Sequence, residues 1–303
     1  MSTFIIIDAP AVLHRAWHAL PKLTDHKDRV INACYGFTLL LLKLLREQKP
    51  DYVAVTFDTP APTFRHKAYK EYKATRAPQP QEFYDQIPIT KEVLHAFGIK
   101  VFEKEGFEAD DLIGTLNNLK SKILNLKSLI VTGDLDLFQL VDDKTKIYFL
   151  KQGIAHVKIY DKDAIYARFE IRPEKLIDFK ALRGDPSDNI PGAPGIGAKT
   201  ASELIKKFGG VQEIYEHLET HFGGKTCLIK KSLAETLLAN KKMVLLGKKL
   251  IAIKQDVKGI EGLEKCKIKE FNQEKIKSQF EKLGFKTLIK RLEKTGSQQQ
   301  TLF

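Results

Sequence analysis

The sequence is poor in the features that mark secreted and membrane proteins. Its 303 residues include three cysteines, Cys34, Cys227 and Cys266, which are far apart and form no CxxC pair. This distribution indicates neither a disulfide framework nor a zinc site, and it suits a reducing cytosol. No apolar run approaches the roughly 18 to 20 residues of a membrane span. The first residues also lack the basic segment of a signal peptide, so we expect a cytoplasmic protein.

Positive charge, by contrast, is in excess. Lysine and arginine number 50 against 38 aspartates and glutamates, which gives a formal net charge of +12. An excess of this size favours an anionic partner, either nucleic acid or an acidic membrane surface. The hydrophobic content of 43% is that of an ordinary globular protein.

The first half of the chain alternates apolar, strand-like runs with helical segments. Short β-branched runs spaced by helices predict an α/β fold with a mainly parallel central sheet covered by helices on both faces. The predicted strands are Thr3–Ile7, Tyr52–Phe57, Lys100–Phe102, Ser128–Thr132 and Lys146–Phe149. The predicted helices are Val30–Glu47, Tyr84–Phe97 and one that begins at Asp110.

The second half is rich in lysine and leucine and is punctuated by glycine pairs, which predicts a helical domain with a basic face. We therefore divide the chain into an α/β domain over residues 1–175 and a helical domain over 176–292. The remaining residues, 293–303, are polar and are expected to form a flexible tail.

A long connection over residues 59–83 interrupts the α/β half. It carries five basic residues, with Tyr69 and Tyr72 between them: Arg65, Lys67, Lys70, Lys73 and Arg76. Connections this long inside a compact domain tend to be functional. The segment is interpreted either as a solvated surface insertion or as a basic, partly helical arch that grips phosphates over an active site.

Acidic residues fall repeatedly where the predicted strands end. A single aspartate there is usually a cap or turn residue, but the carboxyl ends of parallel strands collect functional groups. Carboxylates brought together in this way need cations to remain ionised, and Mg²⁺ or Mn²⁺ is the natural choice for oxygen ligands. The sequence thus predicts a two-metal site for phosphodiester hydrolysis. The nine acids are Asp8, Asp58, Glu108, Asp110, Asp111, Asp134, Asp136, Asp185 and Asp188.

A glycine-containing turn, Gly192 to Gly197, precedes a predicted helix at Ala201–Phe208. The free N–H groups of such a helix, with Lys199, suit a backbone phosphate. A plain joint between two helices explains the turn equally well on its own. Its spacing fits neither a Walker loop nor a dinucleotide site.

Together these segments resemble the 5′ nuclease family, which includes flap endonucleases and the N-terminal 5′-to-3′ exonuclease domain of bacterial DNA polymerase I. The resemblance runs from about residue 2 to about residue 292. The matching motifs are 14-HRAWHALP-21, 64-FRHK-67, 72-YKATRAP-78, 108-EADD-111, 132-TGDLD-136 and 184-GDPSDNIPG-192.

The resemblance implies a structure-selective nuclease that acts at 5′ flaps, nicks and 5′ ends in DNA replication and repair, including primer removal. It also implies a PIN-like fold with a helix–hairpin–helix element, K⁺ at that element, and a monomer associated with the bacterial nucleoid. Asp8, Asp58, Glu108, Asp110 and Asp111 correspond to ligands of a first metal, and Asp134, Asp136, Asp185 and Asp188 to a second group. Lys73 and Arg76 correspond to catalytic contacts with the scissile phosphate, Arg15 and Arg65 to further phosphate contacts, and Gly195, Gly197 and Lys199 to duplex contacts.

Two further features of the sequence, one at each end, are not explained by these motifs. Pro10 follows Asp8 closely and cannot donate an N–H, which alters any backbone contact with the 5′ end. The final residues, with Gln299, Leu302 and Phe303, resemble the peptide by which bacterial repair proteins bind the sliding clamp; an unstructured end is the alternative.

Two other functions remain open at this stage. Pro10 and the strong basic charge are compatible with a non-catalytic module that binds DNA junctions. A PIN-type ribonuclease shares a carboxylate site on an α/β sheet, although the glycine turn and the helical half argue against it.

Overall fold

A six-stranded sheet forms the centre of the computed structural model, which describes residues 2–299 and the side chains of residues 2–292. The strands lie in the order β3-β2-β1-β4-β5-β6, and only β6 is antiparallel to its neighbour. Their bounds are β1 Thr3–Asp8, β2 Tyr52–Thr56, β3 Lys100–Phe102, β4 Lys127–Thr132, β5 Thr145–Gln152 and β6 His156–Tyr160. The predicted mainly parallel sheet is confirmed, and β6 is an addition to it.

Both faces of the sheet are covered, which explains why residues 4–7 of β1 are all apolar rather than alternating. Ile5 and Ile7 point into a core shared with α1 Ala9–Ala19, α2 Asn32–Gln48 and α5 Gln86–Ala96. Phe4 and Ile6 point into a second core on the opposite face. That core is shared with α6 Ala109–Leu119 and with the helical half of the chain.

Helix α1 was not among the predicted helices, and its start explains Pro10. The side chain of Asp8 caps the helix by accepting from the N–H of Ala11 at 3.1 Å. Pro10 lies in the first turn, where a backbone N–H has no partner within the helix. Proline therefore costs this helix no hydrogen bond.

The segment predicted as an arch contains two short helices, α3 Phe64–Ala68 and α4 Gln81–Tyr84. Between them the backbone of residues 69–80 forms turns and extended chain. Lys73 adopts a left-handed conformation, with φ of 57°, in the middle of this stretch.

The second half is helical, as predicted. A small hairpin of β7 Gly184–Asp185 and β8 Ile190–Pro191 separates its first helices from the rest. A Cβ atom on Gly192 would lie 2.3 Å from the backbone nitrogen of Gly184, so only glycine permits this close pairing. The helices are α7 Lys162–Phe169, α8 Leu176–Arg183, α9 Ala198–Phe208, α10 Val211–His221, α11 Lys231–Ala239 and α12 Lys241–Ile251.

The last two helices, α13 Gln273–Lys282 and α14 Lys286–Gln299, return to the α/β half. Ile276, Phe280 and Leu288 are fully buried in the core that contains α2 and α5. A single division of the chain at residue 175 therefore does not describe how these helices pack.

Helix α14 also continues to Gln299, into the stretch expected to be a flexible tail. The side chain of Gln299, together with Leu302 and Phe303, lies outside the described residues, so the clamp-peptide hypothesis stays a prediction. Within the described part of the chain, no helix combines the length and apolar character needed to cross a membrane.

Candidate active site

A cavity of about 1260 Å³ opens at the carboxyl ends of the parallel strands. The fold brings six of the nine predicted acids to its wall: Asp8, Asp58, Glu108, Asp110, Asp134 and Asp185. Lys73, Arg76 and Arg15 line the same cavity. Three predicted metal ligands, Asp111, Asp136 and Asp188, are not part of its lining.

Strand ends and helix starts hold the first acids in place. Asp8 ends β1, and its second carboxylate oxygen accepts from the hydroxyl of Thr132 on β4 at 2.6 Å. Asp58 follows β2 and accepts from the N–H of Ala109 at 2.7 Å, at the start of α6. Glu108 is the N-cap of the same helix. Three separate elements thus direct carboxylates into one cavity.

The cluster is short of positive charge where these acids meet. Burial raises the pKa of Asp8 to about 7, with further contributions from Asp134 and Asp58. Burial raises the pKa of Asp110 well above its ordinary value, and the charges of Asp134 and Asp8 add to this. The pKa values of Asp58 and Asp134 are raised by the same desolvation. Lys73, Arg76 and Lys180 lower some of these pKa values, but they do not offset the burial of the carboxylates.

A second group of acids surrounds Lys180, a residue that the sequence analysis did not select. The ammonium of Lys180 bonds to Asp185 at 2.7 Å and also to Asp136. Burial opposes ionisation of Asp185, but Lys180 and two bonds from Ser187 hold its pKa below the usual range. Its position on α8, five residues before Asp185, was the only signal available.

The predicted arch contributes two cations and a buried tyrosine. Lys73 Nζ lies 2.8 Å from Glu108 Oε1, and Arg76 contacts Asp188 Oδ1 at 2.5 Å. The hydroxyl of Tyr72 lies 3.0 Å from Glu108 and 2.9 Å from Asp188, so it bridges acids of both groups. Burial opposes charge on Lys73, yet Glu108 and Asp188 raise its pKa. Lys73 therefore stays protonated and acts as a cation rather than as a base.

Arg65 and Asp111 do not have the predicted roles. Arg65 is 2% exposed, and its guanidinium makes two bonds to Asp111, at 2.7 and 2.8 Å. Its remaining donors reach the carbonyls of Leu250 and Ala252 at the end of α12. Because Arg65 is buried and saturated, the prediction that it contacts DNA phosphate is wrong. Asp111, fully buried with both oxygens on Arg65, is likewise an ion-pair partner rather than a metal ligand.

Of the other predicted DNA contacts, Gly195, Gly197 and Lys199 are exposed and Arg15 is partly buried. Arg15 lies over Gly133, donates to its carbonyl at 3.3 Å and faces the cavity. In the glycine turn, Gly195 has a φ of 75°, which favours glycine, and Gly197 caps α9. Lys199 is exposed in the first turn of that helix. The structure thus presents a helix start with free N–H groups beside a lysine.

The acid cluster fits hard divalent cations by its chemistry. No three His, Cys, Asp or Glu side chains among residues 2–292 converge closely enough to enclose an ion as they stand. Mg²⁺ characteristically keeps several waters and takes only one or two carboxylates directly. A wide cavity rimmed by six carboxylates meets that requirement, whereas a compact cage does not.

Comparison with known proteins agrees with this geometry. Residues 3–170 match the family model of the 5′-3′ exonuclease N-terminal resolvase-like domain. Residues 171–274 match the model of the 5′-3′ exonuclease C-terminal SAM fold. DNA polymerase I of Bacillus caldotenax is 37% identical over 296 residues, which cover 98% of this chain and 33% of that protein. DNA polymerase I of Bacillus subtilis is 38% identical, with 95% of this chain and 32% of that protein covered.

Solved structures show the same fold. The T5 D15 protein co-crystallised with metal ions has a TM-score of 0.70 and 20% identity, with 93% of this chain and 99% of that chain covered. The catalytic core of Rad2 in complex with DNA substrate has a TM-score of 0.60 and 19% identity, with 93% and 88% covered. The chain spans about a third of the length of the curated polymerases that it matches. With both halves matched by the family models and the acid cluster at the expected strand ends, the chain belongs to the 5′-3′ exonuclease family.

Proposed function

We propose that this chain hydrolyses DNA phosphodiester bonds at 5′ flaps, nicks and 5′ ends, with two divalent ions, Mg²⁺ or Mn²⁺. The observation that carries the proposal is the meeting of six carboxylates with the cations of residues 72–76 in one cavity. Carboxylates alone would repel a phosphate, and cations alone would bind it without cleaving it. Both together are what metal-assisted hydrolysis of a phosphodiester needs.

The residues divide into two proposed metal groups. Asp8, Asp58, Glu108 and Asp110 would hold the first ion, and Asp134 and Asp185 would contribute to the second, with Asp136 and Asp188 adjoining them. Bound ions would supply an activated water and would neutralise charge on the leaving oxygen. The raised pKa of Asp8 supports this assignment, because a divalent ion would offset the cost of burying its charge and the smaller repulsion from Asp134 and Asp58.

The cations of the arch position the scissile phosphate. Lys73 and Arg76 release Glu108 and Asp188 and take the phosphate instead, which places positive charge where the transition state gains negative charge. Tyr72 continues to link the two acids while this exchange takes place. Arg15, which also lines the cavity, contacts a neighbouring phosphate.

The shape of the cavity suits an unpaired strand. Its lining also includes the apolar or aromatic side chains of Phe83, Tyr84 and Ile87. Bases that have left the duplex stack on such surfaces regardless of sequence. This supports single-stranded flaps and frayed 5′ ends as the substrates, in the context of replication, repair and primer removal.

The glycine turn is proposed to hold the adjoining duplex. Gly195, Gly197 and Lys199 present backbone N–H groups and an ammonium, a combination that binds a phosphate without reading sequence. K⁺ bound through backbone carbonyls of the same turn would strengthen that contact. The protein is proposed to act as a monomer, because one chain supplies every group named.

Cleavage of a 5′-labelled flap substrate tests this function directly. The protein is incubated with the flap in Mg²⁺ or in EDTA, and product lengths are mapped. We expect short 5′ products near the junction, formed only with the ion, and none from the combined Asp134→Ala and Asp136→Ala variant. Unchanged cleavage by that variant contradicts the proposal. Tight flap binding without cleavage in any divalent ion indicates a junction-binding module, and preferential cleavage of single-stranded RNA indicates a ribonuclease.

A further inference from the structure

Lys180 lies between two acids of the second proposed metal group. Its Nζ donates to Asp185 Oδ2 at 2.7 Å and also to Asp136 Oδ1. The three side chains are largely enclosed, with 19% of Lys180, 14% of Asp136 and 6% of Asp185 exposed. An ammonium has three donors, and two of them are used on carboxylates here.

Rigid elements hold this ammonium in place. Lys180 belongs to α8, whose neighbouring residues Phe179, Ala181 and Leu182 are buried in the core. The backbone of Lys180 is therefore fixed, unlike that of a surface lysine that samples many positions.

The partner Asp185 is fixed as well. It lies in the β7–β8 hairpin, and its other oxygen accepts from Ser187, from the N–H at 3.0 Å and from the hydroxyl at 2.5 Å. Each oxygen of Asp185 therefore already accepts at least one hydrogen bond. The contact with Lys180 thus links helix α8 to the β7–β8 hairpin, and both partners are held by other contacts.

We propose that the Lys180 ammonium occupies the position in which a second divalent ion would contact Asp136 and Asp185. The chain then binds one divalent ion tightly at the Asp8 group and a second ion only by displacing Lys180. This inference rests on the proposed function, since it concerns the same carboxylates. A divalent ion and an ammonium cannot share the two acids without repulsion, which is strong in an enclosed site.

Substrate binding favours the exchange of the Lys180 ammonium for a second ion. A DNA phosphate that enters the cavity adds negative charge beside Asp134 and Asp185 and favours an additional cation. Displacement of Lys180 is therefore easier with DNA bound than without it. Occupancy of the second position becomes coupled to the substrate, and the free enzyme carries a single tightly bound ion.

Metal binding without DNA tests the proposal independently of cleavage. The metal-free protein is titrated with Mn²⁺, and free Mn²⁺ is followed by electron paramagnetic resonance. For the wild type we expect one tight site and one much weaker site. In Lys180→Met the dissociation constant of the weaker site should fall about tenfold or more. In the wild type the second ion must first break a hydrogen bond between Lys180 and a carboxylate, and the variant lacks that bond. Lys180→Arg keeps the charge and should bind Mn²⁺ as the wild type does, with one tight site and one much weaker site.

Lys248→Met is the matched control. Lys248 also pairs with an acid of α8, Asp178, at 2.5 Å, but it does not line the cavity. Its Mn²⁺ titration should coincide with that of the wild type. If Lys180→Met fails to fold, as judged by circular dichroism, Lys180→Gln provides the same loss of charge with a hydrogen-bonding side chain.

The outcomes separate this inference from the nuclease proposal. Two equally tight sites in the wild type, or identical titrations for the wild type and Lys180→Met, would overturn the role of Lys180 even if the flap is cleaved. A tightened second site in Lys180→Met supports it even if no substrate is cleaved. Flap cleavage in saturating Mn²⁺, measured on the same preparations, decides the nuclease function by itself.

Discussion

The guanidinium of Arg65 lies against the carboxylate of Asp111 with both of its terminal nitrogens, at 2.7 and 2.8 Å. The pair joins three parts of the chain, because Arg65 lies in helix α3 of the arch, Asp111 lies in the first turn of α6, and the carbonyl of Leu250 accepts from Arg65 at 2.7 Å. Glu108, a proposed metal ligand, is 3.3 Å from the same guanidinium. The ion pair therefore fixes the helix that carries Glu108 to the helical half of the protein.

Breaking this pair should destabilise the protein strongly. Arg65→Met leaves the Asp111 carboxylate buried without its partner, which costs about 3–5 kcal/mol. The double variant Arg65→Met with Asp111→Leu removes both charges and should lose less than the sum of the single variants. Urea denaturation measures each free energy of unfolding.

Arg46→Met is the control for that series, because its ion pair with Glu47 is on the surface, with 55% and 40% of the side chains exposed. A loss of at most about 1 kcal/mol is expected there. If Arg65→Met is as mild as the control, the buried pair does not hold the two halves together.

The sequence predicted the acids of the site better than their partners. Asp8 and Asp134 were found because an acid directly after a β-branched run lies at the carboxyl end of a strand, and this depends on local pattern alone. Arg65 was assigned to phosphate because the resemblance to the 5′ nuclease family implied that contact, and because it is one of five basic residues in the long connection. Its true partner is 46 positions away, and no local pattern encodes that distance.

The same limit explains why Lys180 and Tyr72 were missed. Each is a single residue whose role comes from acids on other elements, and a lysine or tyrosine near a helix end is common. Helix α1 was missed because Asp8 was interpreted only as the end of a strand, although it also caps the helix that follows. The five parallel strands and helices α2 and α5 were predictable, since apolar periodicity marks them in the sequence, whereas β6 was not predicted.

The metal-free protein should lose stability as pH rises towards neutrality. The pKa of Asp8 is about 7 in the folded state against an ordinary value of 3.8, so the folded state binds a proton that the unfolded state has released. Between about pH 4 and pH 7, folding stability attributable to Asp8 therefore falls with rising pH. Asp8→Asn keeps a neutral side chain and a good helix cap, so it should remove this part of the pH dependence.

Thermal unfolding in EDTA at pH 5 and pH 8 measures the effect. The wild type should lose several degrees more than Asp8→Asn between the two values, and Mg²⁺ at pH 8 should restore stability to the wild type by binding the folded state. If the melting temperatures of the two proteins change equally between pH 5 and pH 8, Asp8 is already ionised at pH 5 in the folded protein. The pKa of Asp8 would then not be raised.

Lys73 should matter for turnover rather than for folding. Lys73→Met removes a cation that is aimed at the position of the phosphate, and loss of one such group typically lowers kcat by about 10² to 10³. Because the interaction strengthens as charge develops in the transition state, KM for the flap should change much less. Single-turnover and steady-state cleavage separate the two constants.

Lys127→Met is a suitable control for the loss of a lysine, since Lys127 is exposed at the start of β4, at the opposite end of the strand from the acids. Wild-type kcat is expected. If the Lys73 and Lys127 variants cleave equally fast, Lys73 does not contact the scissile phosphate.

Lys199 should contribute to duplex binding through charge alone. It is exposed beside the start of α9, where a phosphate would also meet free backbone N–H groups. Lys199→Ala should weaken binding of nicked duplex equally for every sequence, and it should reduce the slope of log K against log salt by about 1.

Fluorescence anisotropy over a range of KCl concentrations, in Ca²⁺ to prevent cleavage, gives the slope. Lys162→Ala removes a partly exposed lysine that pairs with Asp143 at 2.8 Å and belongs to no proposed contact, so its slope should equal that of the wild type. Equal slopes for all three proteins would show that the duplex does not contact Lys199. Loss of a phosphate contact lowers the number of counter-ions that binding releases, and so lowers the slope.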